Sequence, residues 1–371
     1  MQFIDLKTQQ KRIRQDIEKR ILNVLDHGRY IMGPEIKELE QTLAEYVGVK
    51  HCVTCSSGTD ALLMPLMAWN IGPGDAVFVP TFTFIATAEM VQLLGATPVF
   101  VDIDNDTFNM DPVKLEEKIF EVIRDGKLKP QAVIPVDLFG LPANYPEIQK
   151  IADAHDILVL EDGAQGFGGK IGDQKVCSFG DAATTSFFPA KPLGGYGDGG
   201  AVFTNDDDLA EKLESIRVHG KGNDKYDNIR VGINGRMDSM QAAIVLSKLT
   251  IFDDEIIRRE KWARAYSDKL SPTFQLQKIP ATYASAWAQY SLITKGKEHR
   301  DEVMNKLKSH GIPTMIYYPI PLHLQTTFNH LNNGVGDYPV SEDTADCIFS
   351  IPMHPYLDDE MINQIVSGLL D

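Results

Sequence analysis

Cysteine is scarce in this chain, positive charge is outweighed, and no long apolar run occurs. The 371 residues include four cysteines: Cys52, Cys55, Cys177 and Cys347. Cys52 and Cys55 make a C-x-x-C, but no second C-x-x-C completes a zinc site. The pair also lies along His51-Cys-Val-Thr-Cys-Ser56, which reads as a buried strand, whereas a redox pair opens a helix. Both thiols read as structural, in a reducing compartment. Lysine and arginine number 36 against 52 aspartates and glutamates, giving a formal net charge of -16 and a pI near 5.0. That field repels nucleic acid and acidic membranes, although a few arginines in a cleft can still reverse it locally for an anionic substrate. The first residues, Met-Gln-Phe-Ile-Asp-Leu-Lys, hold no basic run ahead of an apolar stretch, and no segment has bilayer length, so the expectation is a cytoplasmic protein. Internal repeats and low-complexity tracts are absent. What remains is ordinary globular composition, 43% hydrophobic and 24% charged, in a chain long enough to bury a sizeable core.

Residues 1–34 are amphipathic, with Ile13, Ile17, Ile21, Leu22 and Leu25 at helical spacing, and a second helix is expected over Glu35–Tyr46. Between them lies His27-Gly-Arg-Tyr-Ile-Met-Gly33, a loop with two glycines and an aromatic. Strands then alternate with helices. The strands are expected at Cys52–Cys55, Ala76–Pro80, Pro98–Ile103, Ala132–Phe139, Ile157–Glu161, Ala183–Phe187 and Gly200–Thr204. The helices are expected at Asp60–Trp69, Ile85–Leu94, Val113–Ile123 and Pro146–Ala154. Short β-branched strands separated by helices predict an α/β fold with a mostly parallel sheet covered on both faces. After Met237 the pattern becomes one long helix to about Lys269. We expect a large domain over 1–250 and a smaller one over 251–371.

Three segments carry chemistry. Ser56-Ser-Gly-Thr-Asp60 follows a strand and opens a helix, so free N–H groups and the positive dipole end converge where a phosphate can bind; a plain N-cap is an equal reading of these five residues. Leu160-Glu-Asp-Gly-Ala-Gln165 ends a buried strand at the edge where parallel sheets gather catalytic groups. A buried Asp162 needs a cationic partner, which a protonated pyridine nitrogen supplies, or else it caps the following turn. The third runs Thr185-Ser-Phe-Phe-Pro-Ala-Lys191-Pro-Leu-Gly-Gly-Tyr-Gly-Asp-Gly-Gly200. Most lysines are solvated, but Lys191 is flanked by Pro189 and Pro192 in apolar surroundings that can lower its pKa toward nucleophilic use. Gly195-Tyr-Gly-Asp-Gly-Gly200 satisfies G-x-G-x-x-G, but a strand follows it where a dinucleotide fingerprint needs a helix, so NAD binding is excluded.

Together these residues resemble the DegT-type nucleotide-sugar aminotransferases within the fold-type I pyridoxal-phosphate (PLP) enzymes. The resemblance rests on five motifs in order: Ser57-Gly-Thr-Asp-Ala-Leu62, Pro80-Thr-Phe-Thr-Phe-Ile-Ala-Thr-Ala88, Glu161-Asp-Gly-Ala-Gln165, Ser186-Phe-Phe-Pro-Ala-Lys191 and Gly232-Ile-Asn-Gly-Arg236. It implies a seven-stranded large domain, a small C-terminal α/β domain and PLP as cofactor. Lys191 would carry the cofactor on its amine and move protons. Asp162 would pair with the pyridine nitrogen, Gln165 would approach the 3-oxygen and Phe84 would stack on the ring. Gly58, Thr59 and Ser186 would bind the phosphate, with Asn234 reaching it from the second subunit of a homodimer.

His27-Gly-Arg-Tyr-Ile, Tyr318-Pro-Ile-Pro-Leu322 and Pro352-Met-His-Pro-Tyr-Leu357 are similar to one subgroup of that family. Its members include enzymes that aminate C3 of UDP-2-acetamido-2-deoxy-3-oxo-glucuronate from glutamate, for O-antigen sugars. By that similarity Gly28, Tyr30, Arg236, Tyr317 and Tyr318 line the nucleotide-sugar pocket, and Arg236 suits a carboxylate or phosphate. Two positions depart from the pattern: Ala190 stands where those enzymes have serine, and Tyr317 where they have histidine. Other outcomes are a 3- or 4-aminotransferase of dTDP- or UDP-linked keto-deoxyhexoses and a non-catalytic binding protein on the same fold. A sugar dehydratase of this fold has histidine in place of Lys191.

Overall fold

The computed structural model describes residues 1–224 and 226–370. Two helices open the chain, α1 (Leu6–His27) and α2 (Pro34–Val47), joined by a loop that starts at the left-handed Gly28, φ 69°. Then follow β1 (His51–Cys55), α3 (Gly58–Ala68), β2 (Asp75–Pro80), α4 (Ala86–Leu93), β3 (Thr97–Val101), α5 (Pro112–Asp125), β4 (Lys129–Val133), α6 (Tyr145–His155) and β5 (Leu158–Asp162). Two short strands, β6 (Lys170–Ile171) and β7 (Gln174–Lys175), precede β8 (Ala182–Ser186), β9 (Gly200–Thr204) and α7 (Asp207–Arg217).

The large sheet has the order β1-β9-β8-β5-β4-β2-β3. Pairing is parallel from β8 through β3, and β9 alone runs against both its neighbours. The expected seven-stranded, mostly parallel sheet is present. Its strands alternate between two apolar layers: Ala76 and Phe78 enter one core, Val77 and Val79 the other. That period of two, with both faces buried, explains why the strands read as continuous apolar runs. One strand ends early. The apolar stretch Ala132–Phe139 forms ladder only to Val133, and Leu138–Gly140 coils into a 3-10 turn with Phe139 at φ 61°.

Helix α8 (Ser239–Leu270) carries the chain from one core to another. Ala242, Val245, Leu246 and Phe252 pack on the sheet, whereas Trp262, Ala263, Tyr266 and Leu270 build the C-terminal core. Residue 250 lies within this helix. Beyond it come β10 (Gln275–Leu276), β11 (Tyr283–Ala284), β12 (Tyr290–Ile293), α9 (Lys297–Ser309), α10 (Pro339–Cys347), β13 (Ile348–Ile351) and α11 (Asp359–Leu370). Strands β10, β12 and β13 form an antiparallel sheet, and β11 joins β6 and β7 in another. No helix among the described residues is long and apolar enough to cross a membrane.

Candidate active site

The C-terminal ends of β1, β5 and β8 and the start of the antiparallel β9 meet at one sheet edge, because Asp162 registers with Thr184, Ser186 with Gly200 and Gly200 with Cys55. Asp162 occupies that edge, 4% exposed. Thr87 Oγ1 donates to its Oδ2 at 2.8 Å and the Ala164 amide to its Oδ1 at 3.2 Å. Burial raises the Asp162 pKa, while those donors and the nearby Lys191 charge pull it down. No described residue forms a salt bridge with it.

Lys191, on the loop after β8, lies near enough to this carboxylate for each charge to shift the other's pKa. Its backbone is held in a tight turn, Lys191 N–H donating to Phe188 O at 2.9 Å and Gly195 N–H to Phe187 O at 2.7 Å. Desolvation pushes the amine pKa down from 10.5, and Asp162 opposes the shift. Among the described residues its amine has no hydrogen-bond partner. A buried acid and a partner-poor amine so near each other are the arrangement expected of a functional site.

Beside this pair, Ser57 caps α3 by accepting the Asp60 amide at 3.0 Å, and Ser56 Oγ donates to the Asp60 carboxylate. The free N–H groups of Gly58 and Thr59 therefore point into the edge. A Cβ on Gly58 would lie 2.6 Å from Ser186 Cβ, and one on Gly200 would lie 2.4 Å from Ser57 O. Gly58 is required for the helix start to approach β8 so closely, and Gly200 for β9 to approach it. Phe84 is 54% exposed, its ring 6.4 Å from that of Tyr318. Gln165 is oriented by Phe139 N–H donating to its Oε1 at 3.0 Å, which aims its Nε2 at the Tyr318 hydroxyl, 3.3 Å away. Tyr317 stands edge-on to Tyr318, and burial raises the pKa of both phenols.

No hydrogen bond among the described residues joins the remaining expected residues to this group. Arg236 Nε and Nη2 donate to Asn234 Oδ1 at 3.0 and 2.7 Å, and Asn234 is exposed. Ser56 N–H donates to Gly235 O at 2.9 Å, so this segment borders the opening of α3. Tyr30 is 50% exposed, and its carbonyl accepts the Ser239 amide at 2.8 Å at the start of α8. Gly28 is the left-handed cap of α1.

Two features escaped sequence reasoning. Thr87 contacts Asp162 directly, and its signal was available in the Pro80–Ala88 motif. Behind Asp162 is a carboxyl pair, Asp137 and Glu161, both fully buried. Asp137 accepts from the Ala143 amide at 2.9 Å and the Tyr145 hydroxyl at 2.8 Å; Glu161 accepts from the amides of Cys177 at 2.6 Å and Phe179 at 2.8 Å. Burial raises both pKa values, that of Asp137 to about 7; the Asp162 charge adds to the rise at Asp137, and the Asp137 charge adds to the rise at Glu161. Nothing in the spacing of Asp137 and Glu161 announced the pairing.

The donor set fits one kind of group: a planar, phosphate-bearing pyridine aldehyde. A carboxylate for a ring nitrogen, an amine for an aldehyde, a helix N-terminus with hydroxyls for a phosphate and an exposed aromatic face are all at one sheet edge. Thr83 Oγ1, buried and unpartnered among the described residues, leaves a further polar atom in the loop that bears Phe84.

Comparison with known proteins agrees with this chemistry. The model of the DegT/DnrJ/EryC1/StrS aminotransferase family matches residues 11–370. A UDP-2-acetamido-2-deoxy-3-oxo-D-glucuronate aminotransferase of Pseudomonas aeruginosa is 45% identical over 100% of this chain and 99% of its own length. A DegT DnrJ EryC1 StrS aminotransferase from Brucella abortus superposes with a TM-score of 0.97 at 50% identity, covering 100% of this chain and 98% of that one. A Bacillus subtilis protein solved with bound cofactor PMP superposes with a TM-score of 0.88 at 29% identity, over 99% of this chain and 82% of that one.

Proposed function

The chain belongs to the DegT/DnrJ/EryC1/StrS aminotransferase family, and from that premise we propose that it moves the amino group of glutamate to C3 of UDP-2-acetamido-2-deoxy-3-oxo-D-glucuronate, in the making of O-antigen sugars. It is a PLP-dependent sugar aminotransferase with the fold of that class. The observation that carries the reading is Lys191, an amine with depressed pKa near the buried Asp162 at the sheet edge.

PLP, when bound, supplies an electron sink that acidifies the carbon–hydrogen bond beside the reacting nitrogen. Asp162, fixed by Thr87, holds the proton on the ring nitrogen. Gln165 would stand near the 3-oxygen, Phe84 would cover a ring face, and Gly58, Thr59 and Ser186 would receive the phosphate. Lys191 would hold the cofactor through its Nζ, and its freed amine would be the acid–base group that takes the Cα proton of glutamate and gives a proton back in the transfer toward the sugar. Gly28, Tyr30, Tyr317 and Tyr318 line the sugar side, and Arg236 meets a carboxylate or phosphate. The working unit is a homodimer in which Asn234 serves the site of the other copy.

One feature favours a second substrate. The Tyr317 ring centre lies 6.4 Å from that of Phe3, and a phenol cannot carry the positive charge a histidine offers to a uronate carboxylate. A 3- or 4-keto-deoxyhexose on UDP or dTDP is therefore the second reading. The test is a panel of 3-oxo and 4-oxo nucleotide sugars with glutamate, product amine being measured. Turnover confined to the 3-oxo uronate supports the first reading, and preference for a keto-deoxyhexose replaces it with the second. Lys191→Ala is expected to abolish transfer, and full turnover by that variant would overturn the site assignment.

A further inference from the structure

Adjacent residues of a strand point to opposite faces, so Asp162 and Glu161 leave the end of β5 in opposite directions. Asp162 meets Thr87, whereas Glu161 comes within hydrogen-bond reach of Asp137. Asp137 and Glu161 are each 0% exposed. The titratable groups around them are Tyr145 on α6, Cys177 between β7 and β8, Tyr283 on β11 and Asp162 itself. No lysine, arginine or histidine among the described residues forms a salt bridge with either acid.

Four donors serve the pair, but they leave one oxygen out. The Ala143 amide and the Tyr145 hydroxyl both go to Asp137 Oδ1, and the Cys177 and Phe179 amides go to the two Glu161 oxygens. Asp137 Oδ2 is buried, and no N–H or hydroxyl among the described residues reaches it. Two neighbouring buried carboxylates cannot both ionise without a cation. A carboxyl proton is therefore the missing donor: a protonated Glu161 has an O–H to give, and Oδ2 is the acceptor left open. Burial favours keeping that proton, because it disfavours the charged form of both acids.

The chain around this pair carries the cofactor-facing residues. The Asp137 amide donates to Asp162 O at 3.0 Å, and Val136 bridges Asp162. The turn after Asp137 gives the Phe139 amide to Gln165 Oε1 at 3.0 Å. Gly166, next to Gln165, packs so tightly on Asp137 that a Cβ there would lie 2.6 Å from Oδ2. We propose that Glu161 and Asp137 share one proton, and that this O–H···O bond is a strut that positions Asp162 and Gln165 for the cofactor. Both are positioning residues that act through those two side chains. The strut holds while the proton stays and fails when it leaves, since the two carboxylates then repel. The inference rests on the cofactor assignment above.

Infrared spectra of the holoenzyme in ordinary and heavy water test the proton directly. Wild type should show an isotope-sensitive protonated-carboxyl band at neutral pH. The band should disappear in Asp137→Asn, where the amide Nδ2 becomes the donor to an ionised Glu161. Cofactor affinity, followed by absorbance against pH, tests the strut. Wild type should lose affinity over the same alkaline range in which the band fades, and Asp137→Asn should keep its affinity there. Asp137→Ala, with no polar group at the strut, should bind cofactor roughly tenfold more weakly at every pH. If that variant melts early, the comparisons of wild type with Asp137→Asn decide alone. A wild type without the band, a band that survives Asp137→Asn, or parallel alkaline loss of affinity in both proteins overturns the proposal. Amino transfer enters none of these readouts, so failure of the aminotransferase reading would leave them standing.

Discussion

Thr87 helps set the direction of the Asp162 carboxylate through a 2.8 Å hydrogen bond to Oδ2, where no described residue forms a salt bridge with that acid. Its replacement by valine keeps the shape and removes the donor. A hydrogen bond to a charged group contributes roughly 1.5–3 kcal/mol, so the glutamate half-reaction should slow by about tenfold or more in stopped-flow absorbance. An unchanged rate would show that Asp162 needs no such support. Asp137 gives a pH prediction. Burial pushes its carboxyl up from the ordinary 3.8 of the unfolded chain to about 7 in the fold. The folded state therefore binds more protons between those values, and the stability it gains is full below 3.8 and lost as pH rises toward 7. Asp137→Asn should flatten that part of the stability–pH curve, measured by urea unfolding at a series of pH values. At this scale the sequence was legible where a residue type is tied to a motif, as with Lys191 and Gln165. It was illegible where the partner comes from a distant turn, as when Asp137 meets Glu161 only because β4 ends early and the chain recoils at Leu138–Gly140.

At the scale of elements, the approach of α3 to β8 and β9 determines whether a phosphate can be held. Gly58→Ala and Gly200→Ala each force a Cβ into atoms under 3.0 Å away, Ser186 in one case and the Ser57 carbonyl in the other. Each is expected to cost about 1–3 kcal/mol in thermal or denaturant unfolding, with cofactor binding weakened further. A wild-type melting curve with wild-type cofactor affinity would contradict the close-packed cradle. Most elements were readable from periodicity, since strands buried on both faces and amphipathic helices advertise themselves. The antiparallel direction of β9 was not, because direction leaves no trace in a period of two. The β6, β7 and β11 pairs were also silent, being two residues long.

At the scale of the molecule, α8 ties the sheet core to the C-terminal core, and residue 250, the expected boundary, lies inside that helix. Asn234 and Arg236 bond to each other and to no described residue of the Lys191 group. If Asn234 serves the other copy's site, a dimer is expected in sedimentation at micromolar concentration, and a lasting monomer with full activity would contradict the shared site. The central claim, that Lys191 and Asp162 run an amino transfer, has one most direct measurement: the visible spectrum of the purified holoenzyme during two sequential additions. Glutamate alone should remove the long-wavelength cofactor band and release 2-oxoglutarate. The keto nucleotide sugar added next should restore the band and yield the amino sugar, and neither change should occur in Lys191→Ala. A spectrum indifferent to glutamate, or a Lys191→Ala protein that completes both steps, would contradict it.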